Sequence, residues 1–186
     1  MDHDERFDDL WRDHAQAVLR YARRRVMPAD VDDVVAETFV VAWRRLDEVP
    51  EKALPWLLGV ARGVSANAVR SARRRDALAD RVTATGEHDP RRAAPDTAAD
   101  ALDPDGSAVA ALRSMSQVDR ELLTLIAWDG LSHAEAATVM GCSPGALKVR
   151  FHRARKRFTG LVRSSAPPPR LKTLVPQADP PIGGAR

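Results

Sequence analysis

Cysteine is almost missing from this chain: Cys142 stands alone among 186 residues. A single thiol closes no intramolecular disulfide and builds no cysteine-based zinc cluster. Long apolar runs are missing as well. No stretch approaches the ~20 apolar residues that span a bilayer. The N-terminus is acidic and lacks the apolar core of a secretory leader. These absences lead to the expectation of a cytoplasmic protein with no membrane span. Histidine is sparse, and His88, His133 and His152 are scattered, so no catalytic constellation emerges. Lysine is rare too, four against 25 arginines, which speaks of a GC-rich coding sequence more than of mechanism.

One local absence is more informative. From Cys142 to Arg163 there is no Asp or Glu, while seven Lys or Arg occur. The formal net charge of the whole chain is only +3, so the positive field is concentrated here. Residues 76–107, by contrast, hold three basic and eight acidic side chains. Charge segregated in this way points to nucleic acid more than an overall basic balance does.

The basic stretch has a definite architecture. Ser132 and Glu135 form a capping box that opens a short helix. Ala134, Ala136, Ala137 and Val139 keep that helix thin, so that a neighbour can approach closely. Gly141 closes it, because glycine takes the left-handed geometry of a helix C-terminus at little cost. Ser143 caps a second helix, with Pro144 at its first position, where the missing N–H does no harm. At about 100° per residue, Leu147, Phe151, Ala154, Phe158 and Leu161 form one apolar stripe. Lys148, His152, Arg153, Lys156 and Arg157 spread over the remaining circumference. This is the pattern of a helix-turn-helix whose second helix enters the DNA major groove. A solvated basic helix on a bundle is the plainer alternative, and the charge alone would favour it.

Upstream, the periodicity predicts three further helices in residues 1–75. The first covers 5–25, with Phe7, Leu10, Trp11, Val18, Leu19 and Ala22 on its apolar face. Arg20 and Arg23 to Arg25 lie near its end, where cations suit the helix dipole. Asp30 is expected to cap the second, whose wide apolar face comprises Val31, Val34, Val35, Thr38, Phe39, Ala42, Trp43 and Leu46. Asp32, Asp33 and Glu37 lie together on its other side. Carboxylates this close are conceivable metal ligands, but no His and no ExxH pair accompanies them. A solvated or partner-binding acidic face is the better reading, with no metal, no cofactor and no catalytic residue. After a polar loop from Asp47 to Leu54, Pro55 opens a third helix that ends in clustered arginine. Trp56 is either core or a base-stacking platform. Residues 76–107 lose helical periodicity and read as a flexible acidic linker. Residues 108–163 form a second helical unit, and the proline-rich tail 164–186 is expected to be disordered. The fold class is therefore all-α, two small helical domains joined by a flexible linker, the second a helix-turn-helix domain.

In this order and at these spacings the pieces resemble a bacterial RNA polymerase sigma factor of the extracytoplasmic-function (ECF) group. The run from Asp30 to Phe39, followed by Ala42-Trp43-Arg44-Arg45-Leu46, is similar to the family's core-polymerase-binding helix. Pro55-Trp56-Leu57-Leu58-Gly59-Val60-Ala61-Arg62 is similar to its promoter-melting helix. Val118-Asp119-Arg120-Glu121, Gly130-Leu131-Ser132, Glu135-Ala136-Ala137 and Gly141-Cys142-Ser143 through Arg153-Ala154-Arg155 resemble its fourth conserved region. Gly63 stands where the family usually has Asn, Ala36 where it usually has Gln, and the aromatic common near Leu54 is absent.

The resemblance implies a dissociable subunit that binds core RNA polymerase and directs promoter recognition and transcription initiation, and not an enzyme. Residues 1–75 would be sigma region 2 and residues 108–163 region 4. Asp32, Asp33, Glu37 and Arg44 would dock on the polymerase. Lys52, Trp56, Arg62, Asn67, Arg70, Arg73 and Arg74 would hold the non-template strand of the −10 element. Ser143, Lys148, Arg150, His152, Arg153, Arg155 and Lys156 would meet the −35 duplex. An anti-sigma factor is a further implied partner. Without the resemblance, the residues also allow a stand-alone helix-turn-helix transcription regulator with an N-terminal helical sensor or dimerisation domain. A nuclease built on the 32/33/37 carboxylates has no second ligand cluster to support it.

Overall fold

The computed structural model describes residues 2–83 and 106–165. Within them the chain forms seven α-helices and no strand: α1 His3–Arg23, α2 Val31–Arg44, α3 Ala53–Thr83, α4 Ser107–Ser114, α5 Gln117–Ala127, α6 His133–Met140 and α7 Pro144–Ser165. Single 3-10 turns, Pro28–Asp30 and Leu46–Glu48, lead into and out of α2.

Local chemistry sets the helix ends. At α1, the Asp2 side chain accepts from the His3 N–H at 2.7 Å, and Glu5 reaches back to the Asp2 N–H at 3.2 Å. This capping box starts the helix two residues before the expected boundary. Asp30 holds the N-cap position of α2 but makes no side-chain cap bond, because the 3-10 turn already puts its backbone in helical geometry. The other caps form as expected. Ser116 Oγ accepts from the Asp119 N–H, Ser132 and Glu135 form the reciprocal box, and Ser143 Oγ accepts from the Ala146 N–H. Gly141 ends α6 at φ +64°.

Helix α3 runs through Thr83, eight residues beyond the domain boundary expected at Arg75. The segment Asp76-Ala77-Leu78-Ala79-Asp80 contains no Gly or Pro and is rich in strong helix formers, so local propensity continues the helix where apolar periodicity has faded. The flexible linker and the proline-rich tail were otherwise expected at positions that lie outside the described residues.

Helices α1, α2 and α3 pack on one another, and α7 packs on α4, α5 and α6. The two units also meet: α6 lies along α3. One continuous core results. It includes Val18, Tyr21, Phe39, Leu57, Leu58 and Ala61 from the first unit, and Leu122, Leu125, Ala136, Ala137 and Leu147 from the second. A smaller cluster of Leu112, Met115, Leu123 and Ala154 ties α7 to α4 and α5. The expected slimness of α6 has its use here, since a Cβ built on Gly59 of α3 would lie 3.9 Å from the Cα of Val139.

Candidate nucleic-acid and polymerase interface

The helix-turn-helix presents its second helix to solvent. Leu147 and Ala154 of α7 are buried and Phe151 and Phe158 half-buried, so the apolar stripe faces the bundle. Ser143, Lys148, Arg150, His152, Arg153, Arg155 and Lys156 are all exposed. None of these cations pairs with a carboxylate of a described residue, whereas neighbouring Arg157 is held by Asp119 at 2.6 Å. Exposed Val149 sits in the middle of this basic face. His133 stacks edge-on against Phe151, with ring centroids 5.0 Å apart, and so belongs to the packing between α6 and α7. The outward face of α7 is thus a continuous strip of uncompensated positive charge on a rigid rod, which is what a phosphate-lined groove attracts.

The residues expected to hold the −10 strand lie along α3 and just before it, in two different environments. Asn67, Arg70, Arg73 and Arg74 are exposed on the outer turns; Arg70 donates to Asn67 and Arg74 to Ser71. Trp56 is half-buried against the core, with the Arg45 guanidinium 5.7 Å from its ring centroid. It is therefore partly core and partly an accessible face. Arg62 and Lys52 reach across to the second unit. Arg62 Nε lies 3.1 Å from Glu121 Oε1, and Lys52, itself 83% exposed, lies 3.7 Å from Glu135 Oε1.

On α2 the structure brings Asp32, Asp33, Glu37 and Arg44 together on one exposed face. It also corrects the expected core. Trp43 was placed on the buried stripe, but it is 40% exposed, as Val40 is at 46%. Helical spacing puts both in the midst of the four charged residues. Trp43 is held from behind by Phe7 and His3, edge-on at 5.0 and 4.3 Å. Trp11, also expected in the core, is 43% exposed and packs against Phe39 at 4.5 Å. An apolar centre ringed by charge is the usual anatomy of a protein–protein interface.

Sequence reasoning missed a buried polar network between the units. Glu121 of α5 projects among Tyr21, Arg25 and Arg62. Tyr21 donates to Glu121 Oε1 at 2.7 Å, and Arg25 Nη2 lies 3.3 Å from the same oxygen while its guanidinium stacks 3.6 Å over the Tyr21 ring. Burial, helped by the Glu121 carboxylate, pushes the Tyr21 hydroxyl far above its ordinary value despite the two arginines, so it stays protonated and donates. Beside this cluster Arg24 binds both oxygens of Asp129, at 2.7 and 2.6 Å, with the two side chains 7% and 5% exposed. The one signal available was that Glu121 adjoins the apolar stripe of α5, where a carboxylate needs a partner.

Comparison with known proteins identifies the family. Residues 10–75 match the model for Sigma-70 region 2, and residues 106–158 that for Sigma-70 region 4. The RNA polymerase sigma factor NccH of Alcaligenes xylosoxydans xylosoxydans is 32% identical over 169 residues, covering 86% of this chain and 88% of that protein. The chain belongs to the ECF sigma factors. The ECF RNA polymerase sigma factor SigL of Mycobacterium tuberculosis is 33% identical over 78% of this chain and 82% of its own length. Among solved structures, CnrH in complex with the cytosolic domain of CnrY is 28% identical, with a TM-score of 0.57 over 86% of this chain and 89% of that one. The sigma factor RpoE with the anti-sigma factor NepR from Bartonella quintana, 22% identical with a TM-score of 0.58 over 84% and 96%, shares the fold.

As an ECF sigma factor, the chain is a dissociable subunit of RNA polymerase that directs promoter recognition. The stand-alone regulator is not favoured, because residues 10–75 carry region 2 where that reading required a sensor or dimerisation domain. Among the described residues no helix is long and apolar enough to cross a membrane, and no group of His, Cys, Asp or Glu gathers as a metal site.

Proposed function

We propose a division of labour among three faces of this sigma factor. The α2 face of Asp32, Asp33, Glu37 and Arg44 docks on core RNA polymerase, with Val40 and Trp43 as the desolvated centre of the contact. Charges at the rim of such a surface orient the encounter, and a buried aromatic supplies most of the affinity. Trp56, Arg62, Asn67, Arg70, Arg73, Arg74 and Lys52 hold the melted −10 strand, the arginines on phosphates and Trp56 against an unstacked base. Helix α7 lies in the −35 major groove, its Ser143-capped N-terminus toward a phosphate. Lys148, Arg150, His152, Arg153, Arg155 and Lys156 share base and backbone contacts.

The observation that carries this reading is the α7 face, about six turns of helix on which Lys148, Arg150, Arg153, Arg155 and Lys156 are exposed and unpaired with any described carboxylate, while Leu147 and Ala154 are buried on the opposite side. The chain supplies no chemistry of its own; it is an initiation factor acting on an enzyme, in the cytoplasm where that enzyme works. Its relatives' complexes with CnrY and NepR support an anti-sigma factor as a further partner.

Co-elution with core RNA polymerase on a sizing column tests the assignment. Binding to core, with little promoter affinity in the free chain, is the expected result. No binding to core, with tight specific binding to duplex DNA by the chain alone, would overturn it. In promoter assays on the holoenzyme, Arg153→Ala should lower activity by at least fivefold, the loss of one bidentate guanine contact at ~1–3 kcal/mol. Full activity would misplace the recognition helix.

A further inference from the structure

Val149 is the most exposed of the large apolar side chains among the described residues, at 51%. It stands in the second turn of α7, with exposed Lys148 and Arg150 on either side. Folding does not explain it. A β-branched residue is a weak helix former, and at this exposure it takes little part in the core. At about 100° per residue, Leu147, Phe151, Ala154 and Phe158 lie roughly 140° to 200° around the helix from Val149. The valine is therefore aimed away from the bundle. One turn before it the same line carries Gly145 and Ala146, both exposed, and a Cβ built on Gly145 would meet nothing within 4 Å. One turn after it comes Arg153, while Lys148 and Arg150 point about 100° to opposite sides.

The first half of α7 is thus a crest of small and apolar groups between two cations. A helix is about 10–12 Å across and the major groove about 12 Å wide. Inserted there, the crest meets the base edges and the two flanking cations meet the phosphate walls. The N-terminal residues of a recognition helix are the ones that reach base edges. Gly145 and Ala146 let the backbone approach closely, and the stiff χ1 of valine holds its methyl groups in one place. The apolar group that the major groove offers is the C5 methyl of thymine. Arg153 lies four residues on, about 6 Å along the helix, or one to two base steps at ~3.4 Å each.

We propose that Val149 is a specificity-determining residue that reads the C5 methyl of a thymine in the −35 element. That thymine lies one to two base pairs from a guanine held by Arg153, and Lys148 and Arg150 sit on the phosphates of the two strands. The inference rests on the placement of α7 in the −35 major groove.

The test is selection by the holoenzyme from a promoter library randomised across the −35 element, with the full chain and its variants. Val149→Ala removes an exposed side chain and favours the helix, so folding is not at issue. The wild type should prefer thymine at one position by about fourfold, the worth of one buried methyl group. Val149→Ala should lose that preference and keep the others. Replacing that thymine by deoxyuridine removes the methyl alone; it should weaken wild-type binding about fourfold and leave Val149→Ala unaffected. Lys148→Ala and Arg150→Ala should weaken all sequences alike and lower the salt slope by about 0.9 each. A wild-type profile without a thymine preference overturns the proposal. So does a Val149→Ala profile equal to wild type, or an equal deuridine effect on both, where the two cation variants still lose affinity; the valine assignment alone then fails. If the cation variants also bind and select as wild type does, the placement of α7 in the groove fails and the valine assignment falls with it.

Discussion

Salt is the sharpest probe of the α7 face. Five cations there, Lys148, Arg150, Arg153, Arg155 and Lys156, are exposed and unpaired with any described carboxylate, whereas Arg157 is tied to Asp119. A cation that sits on a phosphate releases condensed counterions and adds about 0.9 to the slope of log affinity against log salt. Raising salt from about 50 to 200 mM should therefore weaken binding ~3.5-fold per contact, and about 500-fold if all five engage. Removing one contact by Lys156→Ala should reduce that factor to about 150-fold. Arg157→Ala should leave it unchanged, because the Asp119 carboxylate already neutralises that charge. The assay is fluorescence anisotropy of a labelled −35 duplex with holoenzyme across the salt series. Polymerase's own contacts cancel when variant is compared with wild type. Equal slopes for wild type and Lys156→Ala, or a loss in Arg157→Ala as large as in Lys156→Ala, would refute the placement of this face against phosphate.

Three other perturbations follow from single residues. Trp43→Ala removes the centre of the α2 face and should weaken core binding at least tenfold, as truncation of a buried interface aromatic does; unchanged co-elution at limiting protein would move the docking surface elsewhere. Leu147→Ala hollows a fully buried position that anchors α7, and urea unfolding should show a loss of about 2–5 kcal/mol; a loss below about 1 kcal/mol would mean the site collapses freely. Ser132→Ala should cost about 1 kcal/mol of stability through the lost cap. Its partner Glu135 is held below the usual carboxylate range by hydrogen bonds from Ser132. The folded value is below the unfolded one, so the contribution is present above the ordinary carboxylate pKa and fades as pH falls through the lowered one. Glu135→Gln should accordingly be destabilising at neutral pH, with a deficit that shrinks only as pH falls below the ordinary Glu value of about 4.3; a deficit that grows on acidification would contradict the capping geometry.

What could be read from the sequence was local. Caps and breakers act within one turn, so Ser116, Ser132, Gly141 and Ser143 announce their helix ends, and the 3.6-residue period shows which side of α7 is buried. The exposed basic side of α7 followed directly. Trp43 and Trp11 defeated the same logic, because an apolar residue at a helical stripe position is indistinguishable from core until the neighbouring helix is placed, and among the described residues each meets a neighbouring helix on one side only and stays about 40% exposed. The run Arg23 to Arg25 was misleading for a related reason. Three arginines at a helix end suit the dipole wherever they point, and nothing within twenty residues reveals that Arg24 and Arg25 turn inward to carboxylates about a hundred residues on. Glu121 sits among Leu122 and Leu125, where a buried carboxylate is expensive unless charged and hydrogen-bonded partners surround it, yet those partners are all on the other half.

The contact between the two units engages the two sets of cations proposed to face DNA unequally. Every cation of the α7 face is open to solvent. Of the α3 set, Asn67, Arg70, Arg73 and Arg74 are also open, but Arg62 is engaged with Glu121 and Lys52 stands near Glu135. The Lys52 pair is largely exposed and worth little. The Arg62 contact is different, since Glu121 is buried and is shared with Tyr21 and Arg25. Withdrawing Arg62 strips a buried carboxylate of one charged partner, and that penalty disappears only when the halves part and water reaches Glu121.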